Sequence, residues 1–232
     1  MISIIIPTYN EEGQIGKTLR HLFSCPGMEW VTEIIVADGG SVDNTLREAA
    51  TAGAQGVISP GKGRAMQMNY GAAEATGSIL YFLHADSLPP ADFIGCILRS
   101  IEKGNDGGCF RLRFDCGHRF LRAVAWFTRF NSGLIRFGDQ SLFIKKDLFH
   151  RIGGFDETYQ VTEDQEIVRR IKRVGKFRVI PSYIITSARK FIENGPYRLM
   201  GIFFYIYILY YLGVSQPVLL NQYRKRITNG KL

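Results

Sequence analysis

The chain has four cysteines in 232 residues, Cys25, Cys96, Cys109 and Cys116, and none forms a CxxC pair or a zinc-ligand spacing. That excludes a disulfide-stapled secreted scaffold and a thiolate metal site, and it implies reduced thiols in a cytoplasmic compartment. A basic leader is also missing. The chain opens Met1-Ile2-Ser3-Ile4-Ile5-Ile6-Pro7, an apolar run too short for a signal peptide and better read as a first strand. There is no internal repeat, no low-complexity tract and no histidine after His150. Gly61 and Gly63 bracket a basic loop without completing GxxxxGK[ST], which excludes a P-loop. The longest apolar run, 199–214, is short of the ~20 residues that span a bilayer.

What is present suits one domain with a full core: 46% of the residues are hydrophobic. Twenty-nine basic against 21 acidic residues give a formal charge of +8, which fits nucleic acid, an anionic membrane surface or a phosphorylated ligand alike. The basic residues are dispersed and carry no recognition motif, which weighs against nucleic acid. Strand-like runs at 3–6, 33–37, 56–58 and 79–83 alternate with helical patterns at 14–24, 43–53, 63–75 and 91–103. This alternation predicts an α/β fold with a mostly parallel central sheet flanked by helices. Right-handed crossovers put the strands' carboxyl ends on one edge, where ligands bind in open sheets. The second half is less regular, with strands expected at 110–114 and 141–144 and an amphipathic helix at 124–130. Thr162 with Gln165 fits a capping box at the start of another helix, and Gly175 fits its stop.

The loops on that edge hold the candidate chemistry. The run at 79–83 ends abruptly in His84-Ala85-Asp86, and an acid there can hold a divalent cation against nucleotide phosphates or simply cap the turn before Pro89-Pro90. His84 could ligate Mn²⁺ or stay a neutral histidine tied to the sheet edge. Tyr9 can stack on a nucleobase or act as an aromatic lid. Asp38 can accept from a base N–H or a ribose hydroxyl, or cap the turn at Gly39-Gly40. Lys62 and Arg64 sit where a glycine-bracketed loop enters a helix, as a diphosphate cradle or as solvated cations. Acids at Glu163-Asp164 fall in a helix's first turn, where the macrodipole stabilises them whether or not they act in catalysis.

The stretches Ser3 to Glu11, Ile35 to Thr45, Gly61 to Ala72 and Ile79 to Asp86, followed by Gly138-Asp139-Gln140, Ile152 to Glu157 and Glu163-Asp164, together resemble glycosyltransferase family 2. The variants His84-Ala85-Asp86-Ser87 and Gly138-Asp139-Gln140 further resemble a subgroup associated with arsenosugar biosynthesis. The resemblance covers about residues 1–190 and implies the GT-A nucleotide-sugar fold. It implies a donor site of Pro7, Tyr9, Asn10, Glu11, Asp38, Lys62, Arg64 and Asp86, with Asp86 on Mg²⁺ or Mn²⁺. Asp164, with Glu163 beside it, takes the role of base toward the acceptor. Asp139 and Gln140 follow the irregular segment where the acceptor should enter, and Arg189 or Lys190 would neutralise the leaving diphosphate. Two departures stand out. Ala37 replaces the first acid of the family's usual pair before the glycines, and His84 replaces the first acid of its DxD. The metal-bound late histidine of many GT-A enzymes is absent or replaced by Arg189.

The activity so implied is inverting, divalent-metal-dependent and hexosyltransferase-like, moving a sugar from a nucleoside-diphosphate sugar, a UDP-sugar favoured, to an acceptor hydroxyl. A nucleotidyltransferase is the nearest enzymatic alternative, though it would call for paired metal-binding acids and the His84-Ala85-Asp86 variant argues against it; a catalytically inert nucleotide-sugar-binding subunit stays open because of the losses at Ala37 and His84. The expected organisation is one domain over 1–195 and an apolar, aromatic helical extension over 196–232. On a helical wheel Tyr207, Tyr210 and Tyr211 share one face of that extension, with Ile202, Leu209 and Leu212 opposite. A packed core or homo-oligomer helix, attachment to a membrane surface and a true span are the three readings of 199–214. The basic Tyr223-Arg224-Lys225-Arg226 suits attachment, at the inner face of a membrane, or a plain solvated end.

Overall fold

The computed structural model describes residues 1–132 and 138–228. The expected acceptor-entry segment before Asp139 falls largely on 133–137 and lies outside the described residues. The strands are β1 (Ile2–Thr8), β2 (Val31–Asp38), β3 (Gln55–Ile58), β4 (Ile79–Phe82), β5 (Ser87–Leu88), β6 (Gly107–Phe114), β7 (Leu142–Lys145) and β8 (Phe177–Thr186). They form one sheet in the order β3-β2-β1-β4-β7-β6-β8-β5. β1 pairs in parallel with β2 and β4, β2 with β3, and β6 with β8, whereas β7 runs antiparallel to β4 and β6. Two reversals through β7 leave β6 and β8 pointing the same way as β4. The carboxyl ends of β1, β2, β4, β6 and β8 therefore share one edge, and the mostly parallel sheet is that of an α/β fold.

Ten helices among the described residues cover the sheet: α1 (Ile15–Phe23), α2 (Thr45–Thr51), α3 (Arg64–Glu74), α4 (Phe93–Glu102), α5 (Arg119–Phe127), α6 (Lys146–Arg151), α7 (Glu163–Val174), α8 (Arg189–Asn194), α9 (Pro196–Tyr211) and α10 (Gln216–Arg226). β1 is buried along its whole length, and its alternate residues feed two cores. Ile4 and Ile6 join Leu19, Phe93, Phe110 and Leu121 on one side. Ile5 joins Met68, Phe82, Phe149 and Ile167 on the other. Leu199, Ile202, Ile206, Leu219 and Tyr223 belong to the first core, so α9 and α10 pack back onto the body.

Several expectations are corrected here. The helix expected at 124–130 begins at Arg119 and ends at Phe127. The capping box is not formed: Thr162 has φ 69° and makes no side-chain cap bond, because a left-handed residue swings its hydroxyl away from the helix's first turn. Gly175 does end α7, but in an extended conformation (φ −151°) rather than a left-handed one. Leu212 lies on the solvent side, 74% exposed, not with the buried Ile202. No helix among the described residues is long and apolar enough to cross a membrane, which disposes of the spanning reading there.

The approach of α3 to β1 sets where Arg64 points, and Gly71 sets that approach. A Cβ at Gly71 would sit 2.6 Å from Ile5 Cγ2 and 3.3 Å from the Ala37 Cβ, both close to the backbone of buried strands. Gly71→Ala is therefore expected to lower stability by about 1–3 kcal/mol, read as a lower denaturation midpoint at unchanged m. An unchanged midpoint would show that α3 is free to shift.

Candidate active site

The ends of β1, β4 and β8 and the starts of α3, α7 and α8 surround a cavity of about 550 Å³. Of the expected site residues, Pro7, Tyr9, Glu11, Arg64, His84, Asp86, Asp139, Asp164 and Arg189 line it. The remaining five, Asn10, Asp38, Lys62, Gln140 and Glu163, do not line it, and each has a physical reason.

Asp38 is fully buried and accepts four hydrogen bonds: from Thr8 Oγ1 (3.0 Å), the Gly40 and Ser41 amides (2.8 and 2.6 Å) and Ser41 Oγ (2.5 Å). Its carboxylate thereby holds the 38–41 loop against the end of β1. Asn10 is taken up in the same way, its amide bonded to Ser41 Oγ and its side-chain oxygen accepting from the Val42 amide. Lys62 reaches over Tyr9 from outside, its ammonium 4.4 Å above the ring centre and 2.9 Å from the hydroxyl. Gln140 is buried, donating to the Phe110 carbonyl at 3.0 Å, and it braces β6 instead of facing an acceptor. Glu163 lies behind Arg64, 2.7 Å from its guanidinium and only 2% exposed.

The turn after β4 is held from below by Thr18 Oγ1, which donates to the Ala85 carbonyl at 2.5 Å. That fixes His84 and Asp86 at the cavity floor. His84 Nδ1 lies 3.0 Å from Asp139 Oδ1. Burial works against the imidazolium, but the hydrogen bond and charge of Asp139 outweigh it and raise His84 above the usual histidine range. The reverse holds for Asp139: burial pushes it up, while His84, then Arg64 and Lys190, bring it below the usual carboxylate range. Asp86 is pushed up to about 6, first by burial and then by the like charge of Asp139, with His84 and Arg189 pulling the other way. Glu163 is raised to about 7 by burial, against the pull of Arg64. Burial also opposes the charge on Arg64, yet Glu163, Asp164 and Asp139 hold it above its ordinary range. One guanidinium facing three acids stays charged.

Gly138 explains how tightly the centre is drawn together. A Cβ there would fall 2.1 Å from Asp164 Oδ2 and 2.9 Å from His84 Cε1, so the 3₁₀ turn at 138–140, the start of α7 and the end of β4 meet at one point. Thr162, on the cavity wall just before the acids, holds a positive φ that a β-branched residue rarely adopts, and strain of this kind concentrates at functional sites. The sequence motifs did not mark Gln67, Gly138, Tyr207 or Tyr223 as site residues. Gln67 is buried and bonds the Thr8 and Ala37 carbonyls at 2.6 and 3.0 Å, pinning β1 and β2 beside the cavity. Its signal was its place one helical turn after Arg64. Tyr223 receives a hydrogen bond from Lys190, whose ammonium lies 5.0 Å from the ring centre. No local pattern pointed to it.

The lining includes three cations (Arg64, Arg189, Lys190), apolar and aromatic side chains (Phe203, Ile206, Tyr207) and the acids Glu11, Asp86, Asp139 and Asp164. It can hold an anionic ligand and take a proton beside it. In the free protein, a carboxyl ¹³C titration assigned with Asp86→Asn is expected to place Asp86 with a midpoint near 6. A midpoint at the ordinary ~4 would contradict the crowding of acids described here.

The profile of glycosyl transferase family 2 matches residues 3–155. An undecaprenyl-phosphate 4-deoxy-4-formamido-L-arabinose transferase of Proteus mirabilis is 33% identical over 142 residues, 58% of this chain and 41% of that protein. The chain thus spans about two-fifths of that relative's length. Among solved structures, the mannosyltransferase PcManGT from Pyrobaculum calidifontis in complex with GDP-Man and Mn²⁺ superposes with a TM-score of 0.71 at 19% identity, over 96% of this chain and 69% of that one. S. aureus TarS in complex with UDP gives 0.67 at 18% identity, over 80% and 60%. The fold is therefore that of GT-A glycosyltransferases, and with the profile covering most of its length the chain belongs to glycosyltransferase family 2.

Proposed function

We propose that the chain transfers a glycosyl group from a nucleoside-diphosphate sugar to an acceptor hydroxyl with inversion. The observation that carries this reading is the juxtaposition at Gly138, which sets Asp164 beside the His84–Asp139 pair in a cavity that Arg64, Arg189 and Lys190 also line. Tyr9, steadied by Lys62, offers a ring for the base, and Arg64, Arg189 and Lys190 face the diphosphate. Asp38 and Asn10 serve the donor by shaping the loop they are locked into. The acceptor oxygen bonds to the anomeric carbon as the bond from that carbon to the diphosphate oxygen breaks, and the acceptor proton passes to Asp164. Attack opposite the leaving group in one displacement gives inversion. A UDP-sugar is the favoured donor.

The residues at the cavity floor suit a divalent cation, Mg²⁺ or Mn²⁺. Asp86 is raised first by burial and then by the like charges of Asp139 and Glu11, and a cation would relieve that repulsion. Among the described residues no three His, Cys, Asp or Glu side chains gather into a metal-binding cluster, so most of its ligands would come from the donor phosphates and water. Asp86 would hold it, with His84 as a second ligand whose Nδ1 is already oriented by Asp139. When bound, the cation supplies charge neutralisation of the departing diphosphate. Residues 1–195 form the catalytic body in this reading, and 196–232 add apolar and aromatic side chains to the lining. The cysteines, which form no disulfide, suit a cytoplasmic site of action.

The test is donor turnover across UDP-, GDP- and dTDP-sugars. Asp164→Asn is expected to lower turnover by ~10²–10⁴ while donor affinity stays near wild type. A wild-type protein with no turnover on any donor would sink the enzyme reading, and an active Asp164→Asn would move the base elsewhere. Gly138→Ala is a subtler probe. Its methyl group displaces the flexible end of Asp164 and not backbone, so an activity loss of up to ~10²-fold with little loss of stability is expected. Loss of folding instead would place Gly138 in the core and not at the site.

A further inference from the structure

Helix α9 is apolar around its whole circumference, with Arg198 its one charged residue. One arc is used twice over by the body: Leu199, Ile202 and Ile206 enter the core, and Phe203 and Tyr207 face the cavity. At ~100° per residue, Tyr197, Phe204, Tyr205, Ile208, Tyr211 and Leu212 share the remaining arc. All six are exposed, Phe204 by 66% and Leu212 by 74%. A helix that is hydrophobic all round is ordinarily covered all round, and a continuous exposed apolar stripe marks a contact surface. α5 lies alongside, with the Phe120 ring 4.3 Å from that of Tyr197, and it too exposes aromatic residues, Trp126 and Phe127.

The charge around this stripe selects what covers it. The chain has no acid between Asp115 and Asp139, nor anywhere after Glu193. Among the described residues those two segments hold seven basic ones: Arg119, Arg122, Arg129, Arg198, Arg224, Lys225 and Arg226. A second copy seated face to face would bring the two positive segments of each protomer against their twins, like charge on like. An anionic lipid surface meets the same face with opposite charge, and tyrosine and tryptophan suit the boundary between headgroups and acyl chains.

We propose that the α9 stripe, with α5 and the basic end of α10, docks on an anionic bilayer surface. The apolar residues enter the headgroup boundary, and Arg224 and Lys225, both exposed, hold the lipid charge. The chain lies on the membrane and does not span it.

The test is co-sedimentation of the full chain with vesicles of phosphatidylglycerol mixed into phosphatidylcholine, and with phosphatidylcholine alone, without donor or acceptor. Binding is expected to the anionic vesicles only and to weaken with added salt. Phe204→Ser with Ile208→Ser, and separately Arg224→Glu with Lys225→Glu, are each expected to lower partitioning by about tenfold or more while far-UV dichroism is unchanged. A wild-type chain that stays in the supernatant with anionic vesicles overturns the proposal. So does binding that neither double variant weakens, or a dimer in sedimentation velocity that Phe204→Ser with Ile208→Ser dissociates. Because no turnover is read, failure here and failure of the transfer reading are separate results.

Discussion

Strand β4 is sealed on both faces and both edges, and the site follows from that. Ile79, Leu80, Tyr81 and Phe82 are buried between β1 on one side and the antiparallel β7 on the other. No polar side chain fits along such a strand without losing its hydration, so His84 and Asp86 can appear only where it ends. The same strand is where parallel pairing gives way to antiparallel pairing, and the loop preceding β7 brings Gly138 and Asp139 up against His84. Ligand site and switch in strand direction coincide because one buried strand imposes both.

The chemistry then rests on an excess of acids around few cations. Glu11, Asp86, Asp139, Asp164 and Glu163 crowd a region whose positive groups are Arg64, Arg189 and Lys190, with His84 bonded to Asp139. Burial alone would neutralise some of these carboxyls, and Asp86 and Glu163 are indeed pushed up. In the proposed reaction an incoming diphosphate needs cations, and an acid-rich floor would invite a divalent one. The substitution of a histidine for the first acid of the usual DxD keeps the floor from carrying still more negative charge.

Much of this was legible in the sequence. Alternating apolar strands and helical periods over the first hundred residues made the parallel half of the sheet readable, since each strand there holds a short apolar stretch set between helical patterns. β8 was not foreseen, because Pro181 and Ser182 interrupt it: the pairing with β6 jumps from Phe110–Ile180 to Arg111–Tyr183, a bulge that hides the strand's alternation. Motif position identified most of the residues on the cavity wall but could not tell a ligand-facing carboxylate from a structural one. Asp38 and Asp86 look alike in sequence, the one an acid that ends a buried strand and the other an acid just past one. Their difference lies in neighbours such as Thr8 and Ser41, which saturate the first and leave the second. Contacts distant in sequence, such as Lys190 to Tyr223, left no local trace.

In the proposed reaction a nucleoside-diphosphate sugar and a divalent cation meet on Asp86. Calorimetric titration of UDP-, GDP- and dTDP-sugars into the wild type and Asp86→Ala, each with and without Mn²⁺, is the direct test. One class of donor is expected to bind the wild type, more tightly with Mn²⁺, and Asp86→Ala is expected to remove the gain from metal. Absence of binding by every donor, or a metal effect that survives in Asp86→Ala, would contradict that reaction.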